Sequence, residues 1–120
     1  MKPFLISLFL LCGSVVFSQN CTINAYQSLE YKNKKATVCG VVTQVHAAKN
    51  SQGKPIYLNL GGEFPNHSFT VVVWERDQSK FQIDLSEYEG KHIAVTGTVK
   101  EYDEKGQIVL RDPKNISIIK

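Results

Sequence analysis

The chain is short of the residues on which most catalytic and metal chemistry depends. Its 120 residues include three cysteines, three histidines and one tryptophan, and 14 basic side chains nearly balance 11 acidic ones. Cysteines without suitably spaced histidines argue against a zinc site. A formal net charge of +3 is also too small to name a partner, since strong nucleic-acid binders concentrate a basic excess on one face. The length supports one domain, with no linker or second domain.

No recognisable catalytic motif is present. His46, His67 and His92 fall on a predicted strand end, a loop and a strand start, and no serine or cysteine nucleophile stands in a known motif. The acidic residues between positions 76 and 90 lack the tight alternating loop with glycine that calcium binding needs. We therefore expect a non-enzymatic protein without a cofactor or a metal site.

Residues 1–18 have the pattern of a secretory signal peptide. Lys2 is followed by an apolar run from Phe4 to Cys12, shorter than a membrane span, and then by small residues before a cut at Gln19. The alternatives are an uncleaved anchor helix and, less favoured, a lipid anchor. We expect an exported protein, periplasmic or extracellular, with no membrane span after cleavage and a formal charge of about +2.

Removal of residues 1–18 leaves two cysteines, Cys21 and Cys39. An exported chain with an even number of cysteines favours a disulfide. The bond would tie an N-terminal segment, residues 19–34, to the first long strand, and would close a loop of about twenty residues. The alternative is that Cys39 is a buried free thiol.

Two segments of similar sequence indicate long strands. Residues 35–42 and 91–99 each run from a lysine through β-branched residues to a glycine, Gly40 or Gly97, and on to further valine. A glycine inside a strand often marks a bulge or bend that lets one strand serve two sheets. Small barrels need such corners. The sequence therefore predicts an all-β fold, a closed barrel of five strands.

Apolar alternation and turn residues assign the remaining elements. A short helix is predicted within residues 22–35, and a connector with one helical turn between residues 76 and 90. The predicted strands cover residues 37–47, 56–60, 68–75, 91–102 and 107–110, with residues 116–119 finishing or flanking the last one. The barrel domain takes residues 35–120.

Four segments, Gly53–Gly61, Phe64–Asn66, Phe69–Trp74 and Gly90–Lys91 leading to Val95–Gly97, are similar in sequence to small exported bacterial domains of the OB fold. This oligonucleotide/oligosaccharide-binding fold is a five-stranded Greek-key barrel with the same order of elements. The resemblance covers about residues 35–119. Such domains stand alone or beside nuclease modules and are described as nucleic-acid-binding-like. The resemblance implies a ligand lying across the second and third strands, between the loops that join strands one to two and four to five.

Mapped onto that face, the candidate ligand-binding residues are Tyr57, Asn59, Lys49, Lys54 and Arg76. Tyr57 and Asn59 are predicted to point away from the core, where an aromatic ring can stack on a base while nearby lysines attract phosphate. The alternatives are that Tyr57 flanks a loop and that Arg76 pairs with Glu75 or Asp77.

The other aromatic residues have simpler expected roles. Trp74 is expected in the core rather than at the contact face, because valines surround it in sequence. Phe64 and Phe69 are expected to close the mouth of the barrel.

Two functional hypotheses from different classes remain. The first is a binding module that weakly holds single-stranded nucleic acid, such as DNA, or another extended polyanion. The second is an envelope protein whose barrel recognises a peptide, a protein or a glycan, which the nearly neutral charge also fits. A third, an accessory domain to a separately encoded nuclease, cannot be separated from these by residues alone.

Overall fold

The computed structural model describes residues 21–120, so the predicted signal peptide and its cleavage point lie outside the described residues. One short α-helix, α1 (Glu75–Gln78), and three 3-10 helices (Ala25–Tyr31, Leu85–Tyr88 and Pro113–Asn115) accompany the strands in this range. The eight strands are β1 (Ile23–Asn24), β2 (Lys35–Ala47), β3 (Ile56–Leu60), β4 (Phe69–Val73), β5 (His92–Thr98), β6 (Lys100–Tyr102), β7 (Lys105–Val109) and β8 (Ile116–Ile118).

All eight strands belong to one sheet in the order β6-β7-β4-β3-β2-β5-β8, with β1 added to β2. The pairs β1–β2 and β4–β7 are parallel, and the other pairs are antiparallel. The prediction of an all-β fold is confirmed.

The prediction of a closed barrel with five strands is corrected to an open sheet with eight strands within residues 21–120. The predicted fourth strand is interrupted at Val99. The N–H of Val99 donates to Lys34 O at 3.0 Å, and its carbonyl accepts from Asn33 N–H at 2.7 Å. Because these backbone groups bond to a turn instead of a strand, the segment divides into β5 and β6.

Strand β2 serves two partners, as the sequence predicts for a long bent strand. Residues 35–41 pair with β5 and residues 42–47 pair with β3, and the register shifts between Val42 and Gln44. The extra residue at this β-bulge is Thr43, so the predicted bend at Gly40 is displaced by three positions. A bulge adds one residue to the strand and reverses which face the following side chains occupy.

The two strand glycines are sites of close packing. A Cβ atom on Gly97 would lie 2.7 Å from Ile108 Cγ2, and one on Gly40 would lie 3.1 Å from Leu60 Cδ2. Glycine in a strand interior is often found where another group approaches the backbone closely. These glycines therefore leave room for side chains of β7 and β3 to pack against the backbones of β5 and β2.

The core lies on one face of the sheet and contains alternate residues of each long strand. Its largest fully buried side chains are Phe69, Leu58, Leu60, Ile93, Ile108, Leu110, Val38, Val42, Val71, Val73 and Val95. The N-terminal 3-10 helix begins with a capping box in which Asn24 and Gln27 bond to each other's backbone N–H groups. This helix buries Ala25 and Ser28. The side chain of Ser28 fills the space that a Cβ on Gly106 of β7 would need.

A disulfide joins Cys21 to Cys39, with 5.8 Å between the two Cα atoms. It anchors β1, which pairs with β2 through only Ile23 and Asn24. The predicted tie between the N-terminal segment and the first long strand is therefore present.

Candidate nucleic-acid interface

The face of the sheet opposite the core carries two rows of residues across β2, β3, β4 and β7. The strand register sets both rows. The first row is Gln44, Asn59, Thr70 and Gln107, and the second is His46, Tyr57, Val72 and Val109. Both rows depend on the bulge at Thr43, because continuous alternation from Val42 would turn Gln44 and His46 toward the core.

The hydroxyl of Thr43 fastens this bulge to the loop between β3 and β4. It accepts from Gly62 N–H at 3.2 Å and donates to Gly62 O, and it also lies 3.0 Å from Asn59 O. A side-chain hydroxyl at the bulge thus holds the loop that carries Phe64 close to the outer face of β2.

His46 and Tyr57 form a stacked aromatic pair on the second row. Their ring centroids lie 6.3 Å apart, and the ring planes differ by 7°. His46 is exposed and Tyr57 is half-buried. Tyr57 therefore lies on the predicted outer face, and the pair presents a nearly flat aromatic surface on which a base or another planar group can stack.

Asn59 lies on the same face but is not a free contact residue. It is buried, its Nδ2 donates to Gln44 Oε1 at 2.9 Å, and its Oδ1 accepts from Thr70 Oγ1 at 3.0 Å. The prediction that Asn59 points away from the core is correct. Neighbouring polar side chains in the same row cover and satisfy this amide.

One set of strand ends brings together three cations, Lys49, Lys54 and Arg76. We call this side of the sheet the cationic edge. The register places Ala47 beside Ile56 and Ile56 beside Val73, so the ends of β2 and β4 meet the start of β3 there. Sequence distance hides this arrangement, because the three cations come from two connections separated by two strands, β3 and β4. The exposed residue Arg111 follows β7 at the same edge.

Trp74 fixes the loop between β2 and β3 at this edge. A Cβ on Gly53 would lie 2.8 Å from Trp74 Cε3, so the indole packs directly against the loop backbone. Glu75 N–H donates to Gly53 O at 3.1 Å, and Gln78 Nε2 donates to Lys54 O at 2.9 Å. Trp74 is half-buried and supports the loop, which corrects the expected core position.

Asp77 forms ion pairs with two cations that follow β4, Arg76 and Lys80. Its buried carboxylate accepts from Lys80 Nζ at 2.8 Å and lies 3.9 Å from Arg76 Nε. The hydrogen bond from Lys80 lowers the pKa of Asp77, although burial opposes the shift. Arg76 thus has the acidic neighbour that the sequence allowed, but its side chain is 70% exposed and can still reach a ligand.

The opposite end of the face carries a second exposed ring. Phe64 is 69% exposed in the loop between β3 and β4, and its centroid lies 5.9 Å from that of His67. Phe69 is buried in the core. The prediction that both phenylalanines close the mouth of a barrel is therefore wrong, because the sheet is open, Phe69 is a core residue and Phe64 is exposed. The exposure of Phe64 could have been predicted from its place among turn residues, with Gly61-Gly62 before it and Pro65-Asn66 after it.

His67 lies in the same loop, and only 9% of its surface is exposed. Its Nδ1 atom is buried and has no hydrogen-bond partner within residues 21–120. Burial, and secondarily the charge of Lys105, lower the pKa of His67 below its ordinary value of 6.5, while Asp103 acts in the opposite direction. The folded protein therefore favours the neutral imidazole.

This lowered pKa predicts a loss of stability in mild acid. The unfolded chain binds a proton on His67 at a higher pH than the folded protein does. The contribution of His67 to the free energy of unfolding is therefore complete above about pH 6.5 and is lost as the pH falls below that value. We expect the free energy of unfolding, measured with urea between about pH 7.5 and 5.5, to fall less in His67→Gln than in the unmodified protein. Parallel losses in the two proteins would contradict this assignment.

A separate groove of about 430 Å³ lies between β1 and the middle of β2. The exposed side chains of Tyr26 and Val41 line it, together with His92 and the disulfide cysteines Cys21 and Cys39. Neither the sequence pattern nor the resemblance indicated this groove.

Within residues 21–120, no group of three or more His, Cys, Asp or Glu side chains is arranged to hold a metal ion. No helix within the same residues is both long and apolar enough to cross a membrane.

Comparisons with known proteins find similarity to solved structures alone. No family model matches the chain, and no curated protein matches it. Among solved structures, the asparaginyl-tRNA synthetase of Entamoeba histolytica, in complex with asparaginyl-adenylate, is similar with a TM-score of 0.44 and 11% sequence identity. The match covers 83% of this chain but 24% of the synthetase chain, so this chain spans a small part of that protein's length.

Proposed function

We propose that the chain is an exported, non-enzymatic OB-like domain that weakly binds single-stranded nucleic acid or another extended polyanion. Its binding surface is the outer face of β2, β3, β4 and β7. The observation that carries the proposal is the stacked pair His46–Tyr57, which stands beside the cationic edge of the sheet.

The topology supports the OB-like part of the proposal. An OB fold has a long first strand shared between two partners and a parallel pairing of its third and fifth strands. Here β2 pairs with both β3 and β5, and β4 pairs in parallel with β7. The five principal strands are then β2, β3, β4, β5 with its continuation β6, and β7, in an open sheet with β1 and β8 as additions.

The chemistry of the face supports a polyanion with planar groups. The aromatic pair offers stacking, worth about 1–3 kcal/mol per base and nearly independent of base identity. Lys49, Lys54 and Arg76 offer contacts to phosphate at the adjoining edge. The near balance of charge in the whole chain limits long-range attraction, so the expected affinity is weak and strongly dependent on salt.

Titration of the protein with a fluorescent single-stranded oligonucleotide tests the function. Three phosphate contacts predict that the logarithm of the binding constant falls with the logarithm of the salt concentration with a slope of about −2. We expect Tyr57→Ala to weaken binding by roughly 5- to 100-fold, because the stacking surface is lost.

The matched control is Tyr26→Ala, which removes an exposed tyrosine from the groove beside β1 and is expected to leave oligonucleotide binding unchanged. Thermal unfolding of both variants checks that the fold is retained. Absence of binding by the unmodified protein at low salt would end the proposal, since phosphate contacts are strongest there.

A second candidate function is recognition of a protein or peptide at the groove beside β1. The observation that favours it is the exposure of Tyr26 and Val41, at 75% and 47%, in one depression. Exposed apolar patches commonly mark interaction sites. Accessory action beside a separate nuclease is compatible with the first function, because a strand-binding face can present a substrate to another protein.

A further inference from the structure

We propose that Gln44 is a specificity-determining residue, whose side-chain amide donates a hydrogen bond to an unpaired nucleobase. The inference rests on the proposed function and names what the face recognises beyond phosphate. It is carried by the hydrogen bonds that orient the amide and by the aromatic groups on either side of it.

The backbone N–H of Phe64 shows which terminal atom of the Gln44 side-chain amide is the oxygen and which is the nitrogen. Phe64 N–H lies 2.9 Å from the Gln44 side-chain atom that faces it. A backbone N–H can only donate, so this atom must be the oxygen Oε1, and the Nε2 group must point elsewhere.

The same reasoning extends along the row. Oε1 of Gln44 also lies 2.9 Å from the Asn59 amide, which must therefore present its Nδ2 donor. Asn59 then turns its Oδ1 acceptor toward Thr70, whose hydroxyl donates at 3.0 Å. Rotation of the Gln44 amide would place donors against the donors of Phe64 and Asn59, so three neighbouring residues hold it in one orientation.

This network leaves Nε2 of Gln44 without a protein acceptor within residues 21–120. Gln44 shares its face of β2 with His46, two residues further along the strand, and its amide is bonded to the backbone of Phe64. The available donor therefore belongs to a side chain on the same face as the His46–Tyr57 pair, beside the loop that carries the exposed Phe64 ring. A base stacked on either surface would present its edge toward a group that can only donate.

The chemistry of this position selects a partner with a planar ring and a hydrogen-bond acceptor on its edge. The carbonyl oxygens and ring nitrogens of nucleobases meet both requirements. A sugar–phosphate chain without bases has acceptor oxygens but no planar ring that can stack here and hold an acceptor on its edge. The structure thus predicts discrimination between a normal single strand and an abasic strand of the same length and charge.

The test uses Gln44→Glu with these two ligands. A glutamate at position 44 can still accept from Phe64 N–H and from Asn59, so the internal network is retained while the free donor is lost. We expect binding of the normal strand to weaken by about tenfold more than binding of the abasic strand. The added negative charge repels phosphate equally in both ligands, so the ratio of the two losses isolates the contact with the base.

Gln52→Glu is the matched control, because it introduces the same charge at an exposed glutamine of the loop between β2 and β3, outside both rows. It is expected to leave the ratio between the two ligands unchanged. As a second measurement on the unmodified protein, the side-chain amide NMR signal of Gln44 is expected to shift on addition of the normal strand and to stay in place with the abasic strand.

The outcomes separate this inference from the proposed function. Equal binding of normal and abasic strands by the unmodified protein would overturn the role of Gln44 and leave a binder of polyanions. Equal losses for both ligands in Gln44→Glu, together with an unmoved amide signal, would also overturn it. Binding of neither strand would overturn the proposed function itself.

Discussion

Replacement of Phe69 by alanine is expected to lower the free energy of unfolding by about 3–5 kcal/mol. Phe69 is fully buried at the start of β4, where it pairs with Leu60 and packs close to Gly106. The stability falls for two reasons. The variant no longer gains the free energy of transferring the aromatic ring out of water, and the cavity left behind adds a further cost. Since small domains are stable by only about 5–15 kcal/mol, this change removes a large share of the total.

Phe64→Ala is the matched control for this prediction. It is the same substitution five residues earlier, at a ring that is 69% exposed. Its effect on stability is expected to stay within about 0.5 kcal/mol. Urea unfolding of the two variants measures the difference, and similar losses in both would show that Phe69 is not the core residue described here.

Loss of the disulfide is expected to lower the free energy of unfolding by about 3 kcal/mol. Cys21 and Cys39 are 18 residues apart, and the bond restricts the unfolded chain by closing this loop. In the folded protein this end of the chain is also held by the two-residue ladder of β1 and by hydrogen bonds of 2.7 Å from Thr22 N–H to Thr37 O and 2.9 Å from Thr37 N–H to Thr22 Oγ1. The disulfide therefore adds to an attachment that backbone pairing and the burial of Ala25 also provide.

Cys21→Ser tests this prediction, because Cys21 is exposed and its replacement leaves the packing around Cys39 in place. Urea unfolding gives the loss of stability. A reducing agent is expected to destabilise the unmodified protein by the same amount and to have no effect on Cys21→Ser. A variant as stable as the oxidised protein would refute the proposed contribution.

Local patterns determined much of the strand content. The alternation in Ile56–Leu60 predicted β3 to the residue, because a strand with one face in the core repeats every two residues. The predicted third strand, residues 68–75, and the observed β4 differ only at their ends. The fourth strand divides at Val99 because its backbone bonds to the turn at Asn33 and Lys34, which no local pattern reveals.

The candidate site was predictable only in part. Tyr57 followed from alternation on β3, and its outward direction is correct. Gln44 and His46 were missed because the bulge at Thr43 reverses the alternation that begins at Val42, and a bulge is set by the pairing of β2 with β3. The hydrogen bonds of Asn59 to Gln44 and Thr70 were not predictable, because a sequence does not show which neighbours will bond to an amide.

The sequence by itself determined the all-β class, the positions of the long strands and an aromatic residue on the outer side of β3, since these depend on periods of two within one segment. Only the tertiary structure decided that the sheet is open, that cations from separate loops share one edge, and that the amide oxygen of Gln44 accepts from Phe64 N–H and Asn59 Nδ2. Each of these depends on register and hydrogen bonds between segments that are distant in sequence, and contacts of that kind form only when the strands pair.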